Sequence, residues 1–160
     1  MDPQKFASCS AGPEDLKRAF NFLSDEEIEV LCPFLELREW PENAVVMQKG
    51  DYEDYMGFII DGRLAVKMKT GYWGKNIIIA ILDRGAIVGE GAFLDSGPRG
   101  NTVIAMETCK LLTLSTRKME ELIQYNPSLA IKLLKRMLYI QSLRLRKAGE
   151  RIAELLGFSL

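Results

Sequence analysis

The chain has 160 residues, 48% of them hydrophobic and 27% charged, which suits one globular domain with a real core rather than a disordered segment. Its 21 basic and 22 acidic side chains leave a net charge of −1, which argues against a protein held to nucleic acid by overall charge. The absence of histidine removes the Ser-His-Asp and Cys-His nucleophile systems and every His-based metal site.

Three cysteines, Cys9, Cys32 and Cys109, are too far apart for a Cys-x-x-Cys site. An odd number of them fits reduced thiols in a cytoplasmic protein, read here as small buried hydrophobes. The N-terminus carries Asp2, Pro3 and Lys5 and no apolar core segment, so it does not read as a secretory signal. The longest strongly apolar run, Ile77 to Leu82, is far short of the ~20 residues a membrane helix needs. A soluble, cytoplasmic protein is expected.

Residues 1–13, rich in Ser, Ala, Gly and Pro, read as a frayed leader. From Pro13 the pattern is helical, with Leu16, Ala19, Phe20 and Leu23 on one face. Ser24 and Glu27 have the spacing of a capping box, and Ile28, Leu31 and Cys32 form the buried side of a second helix that Pro33 limits.

Between Glu36 and Ser115 the period changes to two. Val45–Met47, Gly57–Ile60, Leu64–Met68, Asn76–Leu82, Thr102–Ala105 and Leu111–Leu114 read as short strands. Turn residues separate them at Gly50-Asp51, Asp61-Gly62, Thr70-Gly71, Asp83-Arg84-Gly85 and Ser96-Gly97-Pro98. Many short strands at this spacing predict an antiparallel sandwich or barrel, and Asp61-Gly62 predicts a tight hairpin.

After Ser115 the chain turns helical again, first over Thr116–Gln124 and then from Ser128 toward Leu156, with Pro127 suited to a helix start. Gly149 marks a place for a break or bend in the last helix. The fold class is thus mainly β with flanking helices. Residues 14–127 form the helices and sheet region, and 128–160 form a C-terminal helix of the same domain.

Chemistry concentrates in Gly85–Ala105, which reads GAIVGEGAFLDSGPRGNTVIA. Gly89, Gly91 and Ala92 surround Glu90, and Arg99 follows nine residues later. Small residues leave backbone N–H groups open to phosphate, arginine offers a planar fork for it, and an ionised carboxylate accepts from sugar hydroxyls. Together these describe a site for a phosphorylated sugar. The alternative is a weak ion pair between Glu90 and Arg99 across a turn.

The segment Val88-Gly89-Glu90-Gly91-Ala92-Phe93…Pro98-Arg99-Gly100-Asn101-Thr102 resembles the phosphate cassette of the cyclic-nucleotide-binding domain. That family is shared by catabolite-activator-type regulators, protein kinase A and G regulatory regions, and cyclic-nucleotide-gated channels. Gly50, Gly62 and Gly85 match its structural glycines, so the resemblance runs from about Leu23 to the end of the last helix. It implies an antiparallel, jelly-roll-like β-roll with N-terminal helices and a long C-terminal helix.

The resemblance also implies roles. Arg99 would pair with the cyclic phosphate of cAMP or cGMP, and Glu90 would accept from the ribose 2′-hydroxyl. Backbone amides near Gly89, Ala92 and Gly100 would support phosphate and ribose. Val66, Ala80, Leu82 and Val88 would supply apolar contacts, and Arg144 and Leu145 fall where the last helix touches the base. No catalytic or metal-binding residue is implied. The chain departs from the family pattern at Val88, Gly91 and Asn101, where an aromatic, a branched apolar residue, and an alanine or threonine are usual. The expected function is a cyclic-nucleotide sensor that reports through its last helix. The alternatives are a degenerate fold that only mediates protein interaction, a fragment of a larger transcription regulator or signalling protein, and an enzyme acting on a phosphorylated sugar.

Leu134, Leu138, Gln141, Leu145, Ala148, Ile152 and Leu155 form a heptad seam, which predicts a homodimer along the last helix. A second stripe, Ala130, Leu133, Met137 and Ile140, can pack on the domain itself, and the alternative is that both stripes form one wide core-facing surface. Residues 131–151 carry seven basic side chains against one acid, while residues 25–55 carry ten acids against two bases. The basic run reads as a solvated face, and no direct DNA contact is expected, because few residues follow Arg151.

Overall fold

The computed structural model describes residues 11–69, 71 and 74–157, so most of the expected leader, Cys9 and Thr70 lie outside the described residues. Helices α1 (Pro13–Ala19) and α2 (Asp25–Leu31) lead into a short 3₁₀ turn at Cys32–Phe34. Eight strands follow: β1 (Glu36–Trp40), β2 (Val45–Met47), β3 (Tyr55–Asp61), β4 (Leu64–Lys69), β5 (Asn76–Leu82), β6 (Ile87–Val88), β7 (Thr102–Ala105) and β8 (Cys109–Ser115). Helix α3 (Glu90–Asp95) interrupts them, and α4 (Thr116–Tyr125) and α5 (Pro127–Leu156) close the chain.

The strands make two four-stranded antiparallel sheets, ordered β1-β8-β3-β6 and β2-β7-β4-β5. The first sheet is covered on both faces. Met56, Phe58, Ile60, Ile87, Leu112 and Leu114 pack on the helices, while Tyr55, Ile59, Val88, Cys109 and Leu111 face the second sheet. Burial on both faces is why β3 reads as a nearly continuous apolar run and β8 carries Leu111, Leu112 and Leu114 close together. β5 carries the longest apolar run yet is an edge strand, with Ile77, Ile78 and Ile81 all about half exposed.

Local signals act as expected at the helix starts. Ser24 Oγ accepts from the Glu27 N–H at 3.2 Å, and the Glu27 carboxylate accepts from the Ser24 N–H at 3.0 Å, which closes the capping box. Asn126 Oδ1 accepts from the Leu129 N–H at 3.1 Å, with Pro127 at the start of α5. The helix runs through Gly149 without a break.

Two expectations need correction. β1 and β6 are strands that the period-two pattern does not show. Asp61-Gly62 is not a hairpin turn, because β3 and β4 belong to different sheets and the turn carries the chain between them. Gly62 has φ +80°, and a Cβ there would lie 2.6 Å from the Thr108 carbonyl oxygen and from Cys109 Sγ. Glycine is required by both conformation and space.

Cys109 is buried, and its single S–H is shared between the carbonyls of Arg63 and Glu107, each 3.1 Å from Sγ. Burial pushes its thiol pKa up. A buried thiol of raised pKa is a poor nucleophile. Cys109 should therefore react with an alkylating reagent at pH 8 far more slowly in the folded chain than in denaturant. Peptide mass spectrometry of the labelled chain checks this, and equal rates in the two states would contradict the packing.

Candidate cyclic-nucleotide site

β6 ends at Val88, and Gly89 turns the chain into α3 with φ +79°. The first N–H groups of a helix lack intrahelical acceptors, so Glu90, Gly91 and Ala92 open α3 with N–H groups available to a ligand. A Cβ at position 89 would lie 2.6 Å from Arg99 Nη1 and from Met47 Cε. The glycine therefore lets the cassette backbone close onto the arginine.

The loop carrying Arg99 is tied to the β2–β3 connection. The Arg99 N–H donates to the Asp51 carbonyl and the Gly50 N–H donates to the Arg99 carbonyl, both at 2.8 Å. The Arg99 side chain is almost wholly buried. Its Nε donates to Glu53 Oε2 at 3.0 Å, Nη1 to the Gly89 carbonyl at 2.9 Å, and Nη2 to the Tyr55 carbonyl at 2.6 Å. The guanidinium also lies over the Tyr55 ring, 4.8 Å from its centroid. Burial raises the pKa of the Tyr55 hydroxyl, which stays a neutral donor to the Val46 carbonyl at 3.1 Å. These bonds occupy three of the five N–H donors of the guanidinium.

Glu90 is also buried, 7% exposed. It does not pair with Arg99. Gln141 Nε2 and Arg144 Nη1, from α5, both donate to its Oε1, and Arg144 Nη2 donates to the Ile87 carbonyl at 2.6 Å. The ion pair across a turn is thus replaced by two separate arrangements, one holding each charge.

Both residues line one cavity of about 460 Å³. That volume falls within the ~300–1,000 Å³ usual for small-molecule sites. Val66, Ala80, Leu82, Val88, Gly89, Gly91, Ala92, Gly100, Asn101 and Arg144 line it too. Leu145 does not line it and is 76% exposed. Met47, Leu94, Val103 and Gln141 complete the lining and have no signal in the cassette pattern. Asn101 Oδ1 is buried without a hydrogen-bond partner among the described residues. Among those residues no group of three or more metal-ligating side chains forms, and no helix is long and apolar enough to cross a membrane.

The profile of the cyclic nucleotide-binding domain matches residues 37–126, which spans both sheets and the cassette. The chain belongs to that family. Its β-roll is similar to that of a cyclic nucleotide-binding domain from Methylobacillus flagellatus KT, with a TM-score of 0.83 and 27% identity over 88% of this chain and 82% of that one. The Thermus thermophilus catabolite activator protein superposes with a TM-score of 0.71 and 25% identity, over 86% of this chain and 62% of that one. In sequence, the cAMP-activated global transcriptional regulator CRP of Escherichia coli O157:H7 is 26% identical over 133 residues, 82% of this chain and 61% of that protein. The chain therefore spans about three fifths of the length of such curated relatives. The family's β-roll, flanking helices and long last helix are all present.

Proposed function

We propose that this chain is a cyclic-nucleotide sensor, a binding module without catalysis of its own, that acts in the cytoplasm. One observation carries the reading. Glu90 and Arg99 are both buried in the wall of a single cavity, each held by its own protein partners and neither neutralising the other. Arg99 has donors left for a cyclic phosphate, Glu90 has an oxygen left for a ribose hydroxyl, and Val66, Ala80 and Leu82 offer an apolar wall. Nucleotide at 100 times its Kd should add ~2.7 kcal/mol to stability. A thermal melt with millimolar cAMP and cGMP tests this. No shift with either would favour a module with an empty pocket. Conversion of the nucleotide, read by chromatography, would favour an enzyme.

The same reading makes residues 14–127 and the last helix one signalling unit that pairs with a second copy and does not itself contact DNA. Within the single chain the two stripes of α5 separate. Leu129, Ala130, Leu133 and Met137 are buried in the domain, and Ile140 and Leu134 pack on its edge. Leu138, Leu145, Ile152 and Leu155 remain more than half exposed. Leu134 and Gln141 thus leave the expected seam, the first for the core and the second for the cavity. An apolar seam of the remaining residues supports pairing along the helix. Leu145→Asp would place an unpaired charge in that contact, and the variant should sediment as a folded monomer where the wild type sediments as a dimer. Monomers in both cases would refute the pairing.

A further inference from the structure

A guanidinium is a planar fork, so what it can hold depends on how its plane is set. In this chain the Arg99 plane has an aromatic neighbour that is itself fixed. The Tyr55 hydroxyl donates to the Val46 carbonyl at 3.1 Å, and the Tyr55 carbonyl accepts from Arg99 Nη2 at 2.6 Å. Two guanidiniums lie over the Tyr55 ring, with Arg99 Cζ 4.8 Å and Arg38 Cζ 4.7 Å from its centroid. They belong to different cavities. Arg99 lines the nucleotide cavity, whereas Arg38 and Tyr55 line a separate cleft of about 200 Å³.

The sheet register brings Arg38 to the ring. Across β8, Arg38 pairs with Leu111 and Tyr55 with Ser115, and alternate residues of a strand share a face. Arg38 and Tyr55 therefore stand on the same face of the first sheet, the one that looks to the second. Glu36 shares that face and accepts from Arg38 Nη2 at 2.9 Å, while Glu53 accepts from Arg99 Nε at 3.0 Å. Each cation thus has its own carboxylate, which offsets the repulsion between two like charges on one ring.

We propose that Tyr55 and Arg38 are positioning residues for phosphate recognition: the ring, covered by Arg38, sets the plane of the Arg99 guanidinium. This rests on the reading of Arg99 as the partner of the cyclic phosphate. Attraction of a desolvated guanidinium to an aromatic face holds the fork before a ligand arrives, so less rotamer freedom is lost on binding. Arg38 acts from outside the nucleotide cavity, through the ring.

Calorimetric titrations with the Sp and Rp isomers of adenosine 3′,5′-cyclic phosphorothioate test this. The isomers differ only in which exocyclic oxygen sulfur replaces. A fork held in one plane meets the two positions unequally, so the wild type should prefer one isomer about tenfold or more. Tyr55→Leu should weaken the preferred isomer about tenfold and cut the preference to about twofold. Tyr55→Phe keeps the ring and should keep the preference. Arg38→Ala should narrow the preference about threefold, and Arg38→Lys should recover part of it. Arg38→Ala changes only the separate cleft, so it decides the matter if Tyr55→Leu fails to fold. Equal losses for both isomers, the signature of general loosening or of long-range charge, would overturn the inference. So would a preference unchanged in Arg38→Ala, or a wild type that binds both isomers equally well. A wild type that binds neither these isomers nor cAMP would remove the functional reading, and this inference with it.

Discussion

Replacing Arg99 with leucine should abolish tight nucleotide binding and destabilise the fold at the same time. The donors that its protein bonds leave would meet the cyclic phosphate in the proposed function, and losing one side of a buried charge pair costs ~2–5 kcal/mol of affinity, a weakening of about 30-fold or more. The other three donors serve the protein, since Glu53, Gly89 and Tyr55 all lose a partner when the guanidinium goes. Truncating one member of a buried ion pair costs ~3–5 kcal/mol. Glu53 is 31% exposed and can recover water, so the lower end of that range is expected. Arg99→Lys keeps the charge without the fork and should fall between wild type and Arg99→Leu in both respects. Glu90→Ala should weaken binding less than Arg99→Leu, because a neutral hydroxyl donating to a carboxylate is worth ~1.5–3 kcal/mol. Urea denaturation without ligand and calorimetric titration with it separate the two effects. Unchanged affinity in Arg99→Leu would mean that the cassette does not hold the phosphate.

The largest purely structural effect should come from Gly62→Ala. The left-handed conformation alone costs a non-glycine residue ~1–2 kcal/mol. The new methyl would also meet the Thr108 carbonyl oxygen at 2.6 Å and Cys109 Cα at 2.9 Å, both backbone atoms that cannot swing aside. Forcing such overpacking typically adds ~1–3 kcal/mol. A combined loss of ~2–5 kcal/mol is expected from the urea midpoint, enough to unfold much of a marginal domain at 37 °C. Gly149→Ala is the matching control. Gly149 lies mid-helix with open space around it, so alanine there should stabilise the chain by ~1 kcal/mol. A Gly62→Ala variant as stable as the wild type would contradict the close approach of the β3–β4 and β7–β8 connections at this turn.

Both substitutions also mark where local sequence stops carrying information. Ser24 with Glu27, and Asn126 with Pro127, are readable because capping involves residues three apart. The strands from Val45 to Leu114 are readable because apolar runs between turn residues reflect the burial each strand receives. β1 hides its period behind Glu36, Arg38 and Glu39, and β6 has two residues, too few to show any period. Asp61-Gly62 has the chemistry of a hairpin turn, but pairing is decided at a distance: β3 takes β8 and β6 as neighbours, and β4 takes β5 and β7. The same limit applies to the site. The cassette from Gly89 to Asn101 is contiguous and legible. Glu53 and Tyr55, which hold Arg99, lie 46 and 44 residues away and carry no local mark. Gln141 falls in a heptad seam by spacing alone, and only its contact with Glu90 shows that its side chain belongs to the cavity.

The proposed function requires that one cavity, with the buried Arg99 and Glu90 in its wall, hold a cyclic purine nucleotide. It is tested most directly by calorimetric titration of the wild-type chain with cAMP and with cGMP, with Arg99→Leu run alongside. Saturable one-to-one binding of at least one nucleotide, weakened about 30-fold or more in Arg99→Leu, is the expected result. No heat of binding from either nucleotide at millimolar concentration, or binding that survives the loss of Arg99 unchanged, would contradict it.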